Sequence, residues 1–339
     1  MDKLKLLARR LLQALPSLAA IVIITFLLTR LLPGDPAAYF AGDAADAESI
    51  AQVRAELGLD RPLVVQFFVY LGDLLRGDLG TSLNTGRPVL AEIANRLPAS
   101  LELTGVALLL ALGVAVPLGV LAALYQDRWV DHLCRVVVTA GVSLPTFFTG
   151  LLLIYIFYYI LGWAPSPLGR LDFLYIPPAT VTGFYTVDAL LAGDLEIAWA
   201  AFTQLLLPAI TLGLFVLAPI ARMTRAAMLA ALSSDYIRTA RAYGLHRATV
   251  LITYAFRNAL LPVLTTLGMV FSFMLGANVL VERVFSWPGI GSFAVEALVA
   301  SDYAAVQGFV LVMAILFVVL NLMIDLVYTL IDPRIRVEG

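Results

Sequence analysis

Residues 235–262 read DYIRTARAYGLHRATVLITYAFRNALLP and lie between two long apolar segments of the chain. Each flanking segment has about 20 residues or more, which suffices to cross a membrane as a helix, so this stretch is predicted to be a loop between two spans. The loop also carries the signals of a short helix. Ser233 or Ser234 is placed to cap its start, Asp235 favours the dipole of its first turn, and Gly244 is placed to end it in a left-handed conformation.

A helix of about nine residues is marginal on its own in water and needs a surface to pack on. Small side chains at Thr239, Ala240 and Ala242, flanked by Tyr236 and Tyr243, suit a helix that lies in a groove of another protein. The alternative is an ordinary basic loop that only orients the chain in the membrane.

The composition is that of a polytopic membrane protein. The chain has 339 residues, of which 61% are hydrophobic and 14% are charged, and its mean hydropathy is +0.93. Soluble domains carry about 25% charged residues. The net charge of −2 gives no basis for a nucleic-acid partner.

The sequence offers little for catalysis or for a bound cofactor. Cys134 is the only cysteine, and His132 and His246 are the only histidines, so neither an intramolecular disulfide nor a metal site of these residues is expected. Lys3 and Lys5 are the only lysines, so the chain lacks the lysine of a phosphate-binding P-loop. We expect no metal or cofactor in this chain and no enzyme.

Six apolar segments predict an all-α polytopic membrane protein with six transmembrane helices. The first segment follows the basic N-terminal tail within residues 1–32. Residues 33–100 are mixed and acidic with several turn signals, and we expect them to form a lobe outside the membrane. Residues 101–331 form the transmembrane domain with residues 222–258 as its long basic loop, and residues 332–339 form a tail. The remaining spans are expected at about 103–124, 136–161, 202–221, 259–281 and 304–331.

The lobe ends in a segment with the pattern of an amphipathic helix. Val89, Leu90, Ile93 and Leu97 recur at helical spacing opposite polar residues. Such a helix either lies on the membrane surface or packs within the lobe. The pattern fits both arrangements equally well.

The distribution of basic residues predicts the orientation. With the N-terminus in the cytoplasm, 14 of the 22 Lys and Arg residues fall in the two tails and in residues 125–135 and 222–258. Because cytoplasmic loops carry an excess of Lys and Arg, both termini and the 222–258 loop are expected to be cytoplasmic. The 33–100 lobe is then expected on the opposite side.

Four residues near the end of the fifth span are candidates for a transport pathway. Asn278, at membrane depth, is expected to find a partner inside the bundle. Glu282 and Arg283 would suit a substrate that carries an amine and a carboxylate, and a local ion pair at the water boundary explains these two equally well. Trp287 begins a Trp-Pro-Gly turn, for which an interfacial anchor is the simplest interpretation and an outer gate the alternative.

Asp325 lies within the last span, where a charge at the bilayer centre costs about 2.5–3.5 kcal/mol. At 1.5 Å per residue it is about 9 Å from the inner end of that span. Pairing with an arginine such as Arg222 or Arg225 is favoured over a role in a gate.

The 235–244 stretch resembles the cytoplasmic coupling loop of binding-protein-dependent ABC permeases. The family form is Glu-Ala-Ala, three residues and a glycine, and here Arg238-Thr239-Ala240 and Gly244 take those places. The string DYIRTARAYGL is most similar to the dipeptide, oligopeptide and nickel branch, in which Tyr243 is typically a lysine. Length and loop placement look most like the dipeptide member of that branch. The resemblance continues in LPGDP at 32–36, ELGLD at 56–60, GDLGTS at 77–82, SLPTF at 143–147, FSWPGIG at 285–291 and DPRIR at 332–336.

This resemblance implies one permease of an ABC importer in the lipid bilayer of a bacterial inner membrane. It implies a second homologous permease, two ATPase subunits that bind ATP and Mg²⁺, a periplasmic solute-binding protein, and alternating access. The implied substrates are dipeptides or short oligopeptides, and nickel or glutathione import uses the same kind of permease. An intramembrane enzyme is the remaining alternative, and it would need a second acid near Asp325. The residues implied to dock on an ATPase are Asp235, Tyr236, Arg238, Thr239, Ala240, Arg241, Tyr243 and Gly244.

Overall fold

The computed structural model describes residues 3–31, 36–41, 45–56 and 58–331. These residues form helices and no β-strand, with one isolated bridge between Thr81 and Pro88, so the all-α prediction is confirmed for them. The turn at residues 32–35, the tail at residues 332–339 and the side chain of Asp325 lie outside the described part of the chain.

The helices are numbered here in chain order. Two of them contain a π-helical turn, at Ile154–Ile160 in α7 and at Val250–Phe256 in α11. The helices are α1 (Lys3–Leu31), α2 (Pro36–Ala41), α3 (Ala47–Glu56), α4 (Leu63–Leu75), α5 (Val89–Leu124), α6 (Trp129–Val142), α7 (Thr146–Ile160), α8 (Tyr185–Leu191), α9 (Leu195–Leu232), α10 (Asp235–Ala242), α11 (Arg247–Val284), α12 (Ile290–Val299) and α13 (Tyr303–Ile331).

The described residues group into two compact units. The first comprises residues 1–98 and 289–322, and the second comprises residues 99–288 and 323–339. In the first unit, Val89 and Ile93 at the start of α5 are buried with Ile290 and Phe293 of α12. Of the predicted apolar stripe, Val89 and Ile93 therefore pack inside this unit, whereas Leu97 is half-buried and Leu90 is exposed.

The central helix of the second unit is α9, which runs for 38 residues and is buried along much of its length. Small residues let neighbouring helices approach it closely. A Cβ on Gly119 of α5 would lie 2.7 Å from the carbonyl oxygen of Ala221 and 2.6 Å from Thr224. Only glycine fits this crossing of α5 and α9, as is common where membrane helices meet.

The segment predicted as one span at 136–161 is divided. Helices α6 and α7 meet at an angle of 97° across residues 143–145. Pro145 precedes α7, and the residue before a proline avoids the helical conformation, so Leu144 interrupts the helix. The bend is the physical consequence of the Ser-Leu-Pro sequence, whose proline the span prediction treated as tolerated within one membrane helix.

Four helices within the described residues are long and apolar enough to cross a membrane, namely α5, α9, α11 and α13. The bent pair of α6 and α7 makes a fifth if it counts as one span. The apolar part of α1 with described side chains, Leu15–Arg30, is shorter than these. The chain is thus a polytopic helical membrane protein, and its described residues contain four to five candidate spans by length and composition.

Candidate functional site

The short helix α10 between α9 and α11 confirms the helix predicted in the basic loop. Ile237 is fully buried and Ala240 is 5% exposed, and both pack with Met228 of α9 and with Val250 and Ala255 of α11. Residues three apart on a helix share a face, so this spacing turns one side of α10 towards its own chain. The helix is therefore held on the second unit.

Backbone geometry closes the C-terminal end of α10. Gly244 has a φ of +75°, and the N–H groups of Gly244 and Leu245 make the two hydrogen bonds of a Schellman motif. At the other end, Ser234 occupies the capping position, but its hydroxyl donates to the carbonyl of Ala231 at 2.5 Å. The predicted glycine cap is confirmed, and the predicted serine cap bond is wrong.

The opposite face of α10 is exposed and polar. Asp235 and Arg238 form an ion pair on it with an N–O distance of 3.4 Å. Ala240, which was expected to dock with its neighbours, lies on the buried face instead. The exposed members of the expected docking set are Asp235, Tyr236, Arg238, Thr239, Arg241, Tyr243 and Gly244.

Two of the pathway candidates tie the end of α11 to α5. Asn278 and Glu282 are both buried. The amide of Asn278 donates to the hydroxyl of Thr104 at 3.3 Å, and the hydroxyl of Ser100 donates to the carboxylate of Glu282 at 2.5 Å. Arg283, the next residue, is exposed. These polar contacts join two candidate spans inside the second unit.

Trp287 is buried in the same region. Its indole N–H donates to the carbonyl of Ala99 at 3.0 Å, and its side chain is 2% exposed. The preceding residue, Ser286, has a φ of +49° and turns the chain at the end of α11. The interfacial anchor expected from the sequence is therefore wrong for this tryptophan, which packs inside the second unit.

A buried ion pair of Glu102 and Arg170 holds the segment between α7 and α9. The Nη2 atom of Arg170 lies 2.6 Å from Oε2 of Glu102 on α5. The same guanidinium donates to the carbonyl of Gly183 at 2.7 Å and lies 3.7 Å from the ring centroid of Tyr185. This connecting segment is thereby fixed to the second unit at one buried point.

Two carboxylates order the chain around α8. Glu102 accepts hydrogen bonds from the N–H and the hydroxyl of Thr186, in the first turn of α8. Asp188 accepts from the hydroxyl and N–H of Thr182 and from the N–H of Gly183. Burial, the largest influence, acts to raise the pKa of Asp188, but these hydrogen bonds together outweigh it and lower that pKa.

A third buried acid, Asp131 of α6, binds Arg225 of α9 at 2.9 and 2.7 Å through two guanidinium nitrogens. Arg135 approaches the same carboxylate at 3.4 Å. Arg225, one of the two arginines suggested from the sequence as a partner of Asp325, binds Asp131.

Sequence reasoning missed the roles of Glu102, Arg170 and Asp131. The partners of these ion pairs are 68 and 94 residues apart in the chain, so no local pattern links them. The available signal was the position of Glu102 and Asp131 at the edges of apolar segments, where an ionised side chain needs a partner.

The described residues place no three His, Cys, Asp or Glu side chains where they could hold a metal ion. The buried carboxylates of Glu102, Asp131 and Asp188 accept hydrogen bonds from neighbouring protein groups. These contacts join helices, and α10 exposes its polar face.

Two family models match most of the chain. The model of the binding-protein-dependent transport system inner membrane component matches residues 115–337. The model of the N-terminal part of such membrane components matches residues 3–104.

Individual relatives align over nearly their full length. The probable D,D-dipeptide transport system permease protein DdpB of Escherichia coli is 48% identical over 95% of this chain and 94% of its own. The dipeptide transport system permease protein DppB of Alkalihalophilus pseudofirmus is 42% identical over 97% and 98%. The glutathione transport system permease protein GsiC of Salmonella paratyphi A is 39% identical over 97% of each chain. The chain therefore belongs to the family of binding-protein-dependent transport system inner membrane components, the permease subunits of ABC importers.

Proposed function

We propose that this chain is the permease subunit through which dipeptides or short oligopeptides cross the membrane. The observation that carries the proposal is its 48% identity, over nearly the full length, to a protein named as a D,D-dipeptide permease. The exposed face of α10 fits this role, because a helix anchored on one side can pass a force from a docked partner to the spans.

The proposed assembly contains a second homologous permease, two ATPase subunits that bind ATP and Mg²⁺, and a periplasmic solute-binding protein. Closure of the ATPases would push on α10, and α10 would move α9 and α11 because its buried residues pack between them. The permeases would then alternate between inward-open and outward-open states. In this mechanism Arg238, Thr239 and Gly244 belong to a mechanical joint and have no chemical role.

We propose six spans, with both termini and the 222–258 loop in the cytoplasm. Four long apolar helices and one bent pair support five of these spans, and the apolar part of α1, which follows the basic residues at the start of that helix, would be the sixth. Residues 33–100 would form the lobe on the periplasmic side, and residues 332–339 would form the cytoplasmic tail. The excess of Lys and Arg in the proposed cytoplasmic segments supports this orientation.

The substrate pathway is proposed to run beside the end of α11, near Asn278, Glu282, Arg283 and Trp287. Because Asn278 and Glu282 are buried against α5, a peptide would reach them only in a state in which α5 and α11 separate. The oxygen Oδ1 of Asn278 has no hydrogen-bond partner among the described residues, so it retains an acceptor for such a ligand.

The test is ATP-dependent uptake by the full complex, with its binding protein, in sealed vesicles. Labelled dipeptide should accumulate only when ATP is supplied on the ATPase side. Glutathione is the second candidate substrate, since a relative at 39% identity is named as a glutathione permease. Competition between dipeptide and glutathione for uptake separates the two candidate substrates. If neither ligand is taken up, the proposal is overturned.

A further inference from the structure

A cavity of about 280 Å³ lies between α5, α6 and α9 in the second unit. Its lining is largely apolar, with Leu118 and Ala122 from α5 and Val138 from α6, and it also includes three arginines, Arg135 of α6 and Arg222 and Arg225 of α9. This volume is at the low end for small-molecule sites, which are also apolar with a few placed polar groups. The cavity thus suits a ligand with one charged group and one apolar part.

Basic side chains outnumber acidic ones around the cavity. Arg225 and Arg135 both contact the carboxylate of Asp131, and the charge of Asp127 also acts on Arg225. Arg222 is exposed and lines the cavity, and no ion pair or hydrogen bond joins its side chain to any described residue. Among the described side chains, the guanidinium of Arg222 is therefore available to an anion, which it can bind with two parallel hydrogen bonds.

The cavity also lies near one end of the spans. Leu118 is about 9 Å from the end of α5 at Leu124, taking about 1.5 Å per residue. Next to the cavity, Leu121, Val136 and Val137 expose apolar side chains. A molecule in the cavity would lie near these exposed apolar side chains and near the end of α5 that leads into the turn at residues 125–128.

We infer that this cavity binds an anionic phospholipid of the cytoplasmic leaflet, with the lipid phosphate on Arg222 and the start of an acyl chain along Leu118 and Val138. A basic pocket between membrane helices on the cytoplasmic side is the kind of site that selects acidic head groups. The inference goes beyond transport. It shares with the proposed function only the orientation that places the 222–258 loop in the cytoplasm.

The test compares phosphatidylglycerol with phosphatidylcholine of the same acyl chains, bound to the purified full-length chain and measured by native mass spectrometry. Arg222→Gln should weaken phosphatidylglycerol binding about five-fold, the effect of one basic residue near an anionic surface, and leave phosphatidylcholine unchanged. Arg238→Gln is the matched control, because it removes the same charge from an exposed position on α10. Equal effects of the two variants, or equal binding of both lipids, would overturn the inference.

Cys134 gives a second measurement, because it is the only cysteine and lines the same cavity. Phosphatidylglycerol should slow alkylation of Cys134 in the unaltered chain and should no longer do so in Arg222→Gln. Glycerol phosphate without acyl chains should not protect it. Protection of Cys134 by a dipeptide in the absence of lipid would assign the cavity to the substrate. Protection only after a second permease is added would assign it to the interface between the two permeases. Either result would overturn the lipid site. Neither measurement uses uptake, so failure here leaves the proposed transport function untouched.

Discussion

At Gly244, at the end of α10, an added side chain would strain the backbone without clashing with any neighbour. Its φ is +75°, and a Cβ added there would meet no heavy atom within 4 Å. Gly244→Val should therefore cost about 1–2 kcal/mol from the left-handed conformation alone. We expect the frayed helix end to lower both uptake and substrate-stimulated ATP hydrolysis in the assembled complex. Gly244→Asn is the control, because asparagine tolerates this conformation and should keep most of the activity. Normal coupling in the valine variant would show that this helix end carries no force.

The Glu102–Arg170 pair holds a whole segment of the chain through two side chains. Removing one partner of a buried pair leaves an uncompensated charge and costs about 3–5 kcal/mol. Glu102→Gln should therefore loosen residues 170–188, and hydrogen exchange of their amides should rise. Arg170→Met should do the same alone, while the double variant should be less damaging than the sum of the two.

Strict additivity of Glu102→Gln and Arg170→Met would contradict this interpretation. It would mean that Glu102 acts only by accepting hydrogen bonds from Thr186. The sequence could not have indicated the pair, because its members lie 68 residues apart and neither has a local partner that marks it.

At the scale of elements, the local signals of α10 were sufficient to predict the position and the end of this helix. They could not predict which of its faces is buried. The glycine at position 244 and the apolar flanks fix where the helix is and where it ends. Which face is buried depends on Met228 and Val250, which belong to other helices. The small residues near Ala240 suggested an exposed groove-binding face, and the packing of Ile237 turned Ala240 inwards.

The break between α6 and α7 shows the opposite situation, in which a local signal was present and was outweighed by hydropathy. Residues 136–161 are mostly apolar and contain no charged residue, so length and hydropathy favour one span. Pro145 nevertheless interrupts the helix. A proline near the middle of an apolar segment is tolerated where neighbouring groups satisfy the freed carbonyls, and at the 97° bend of α6 and α7 the helix ends instead.

Arg238→Glu tests whether the exposed face of α10 docks on a partner. The change reverses a charge and places two acids at positions 235 and 238, so assembly with the ATPases should weaken and stimulated ATP hydrolysis should fall. The binding protein should hold its ligand normally. Arg76→Glu is a closely matched control, since the side chains of Arg76 and Arg238 are 81% and 82% exposed and each pairs with an aspartate three residues before it. An equal loss of stimulated ATP hydrolysis in both variants would mean that any added negative charge has this effect, and that the exposed face of α10 has no special role.

At the scale of the whole molecule, hydropathy and Lys/Arg placement predict a helical membrane protein and an orientation. The helices of the described residues agree with the first. The contacts between helices depend on pairs of residues that are distant in sequence. Examples are the hydrogen bonds from Trp287 to the carbonyl of Ala99 and from Asn278 to the hydroxyl of Thr104. They could not be read from one chain, because periodicity specifies which face is apolar and not which partner it meets.

Orientation is tested with single cysteines in a chain that carries Cys134→Ser. Gln126 lies in the exposed turn between α5 and α6, and Ala179 lies in the exposed segment between α7 and α9. Asp131 would be a poor position, because it is buried and binds Arg225. With a membrane-impermeant thiol reagent, Ala179→Cys should react in intact cells with a permeable outer membrane. Gln126→Cys should react only in inverted vesicles, because the basic segments that flank it favour the cytoplasm. The two positions exchange their behaviour if the chain is inserted the other way, and α10 would then face away from any cytoplasmic ATPase.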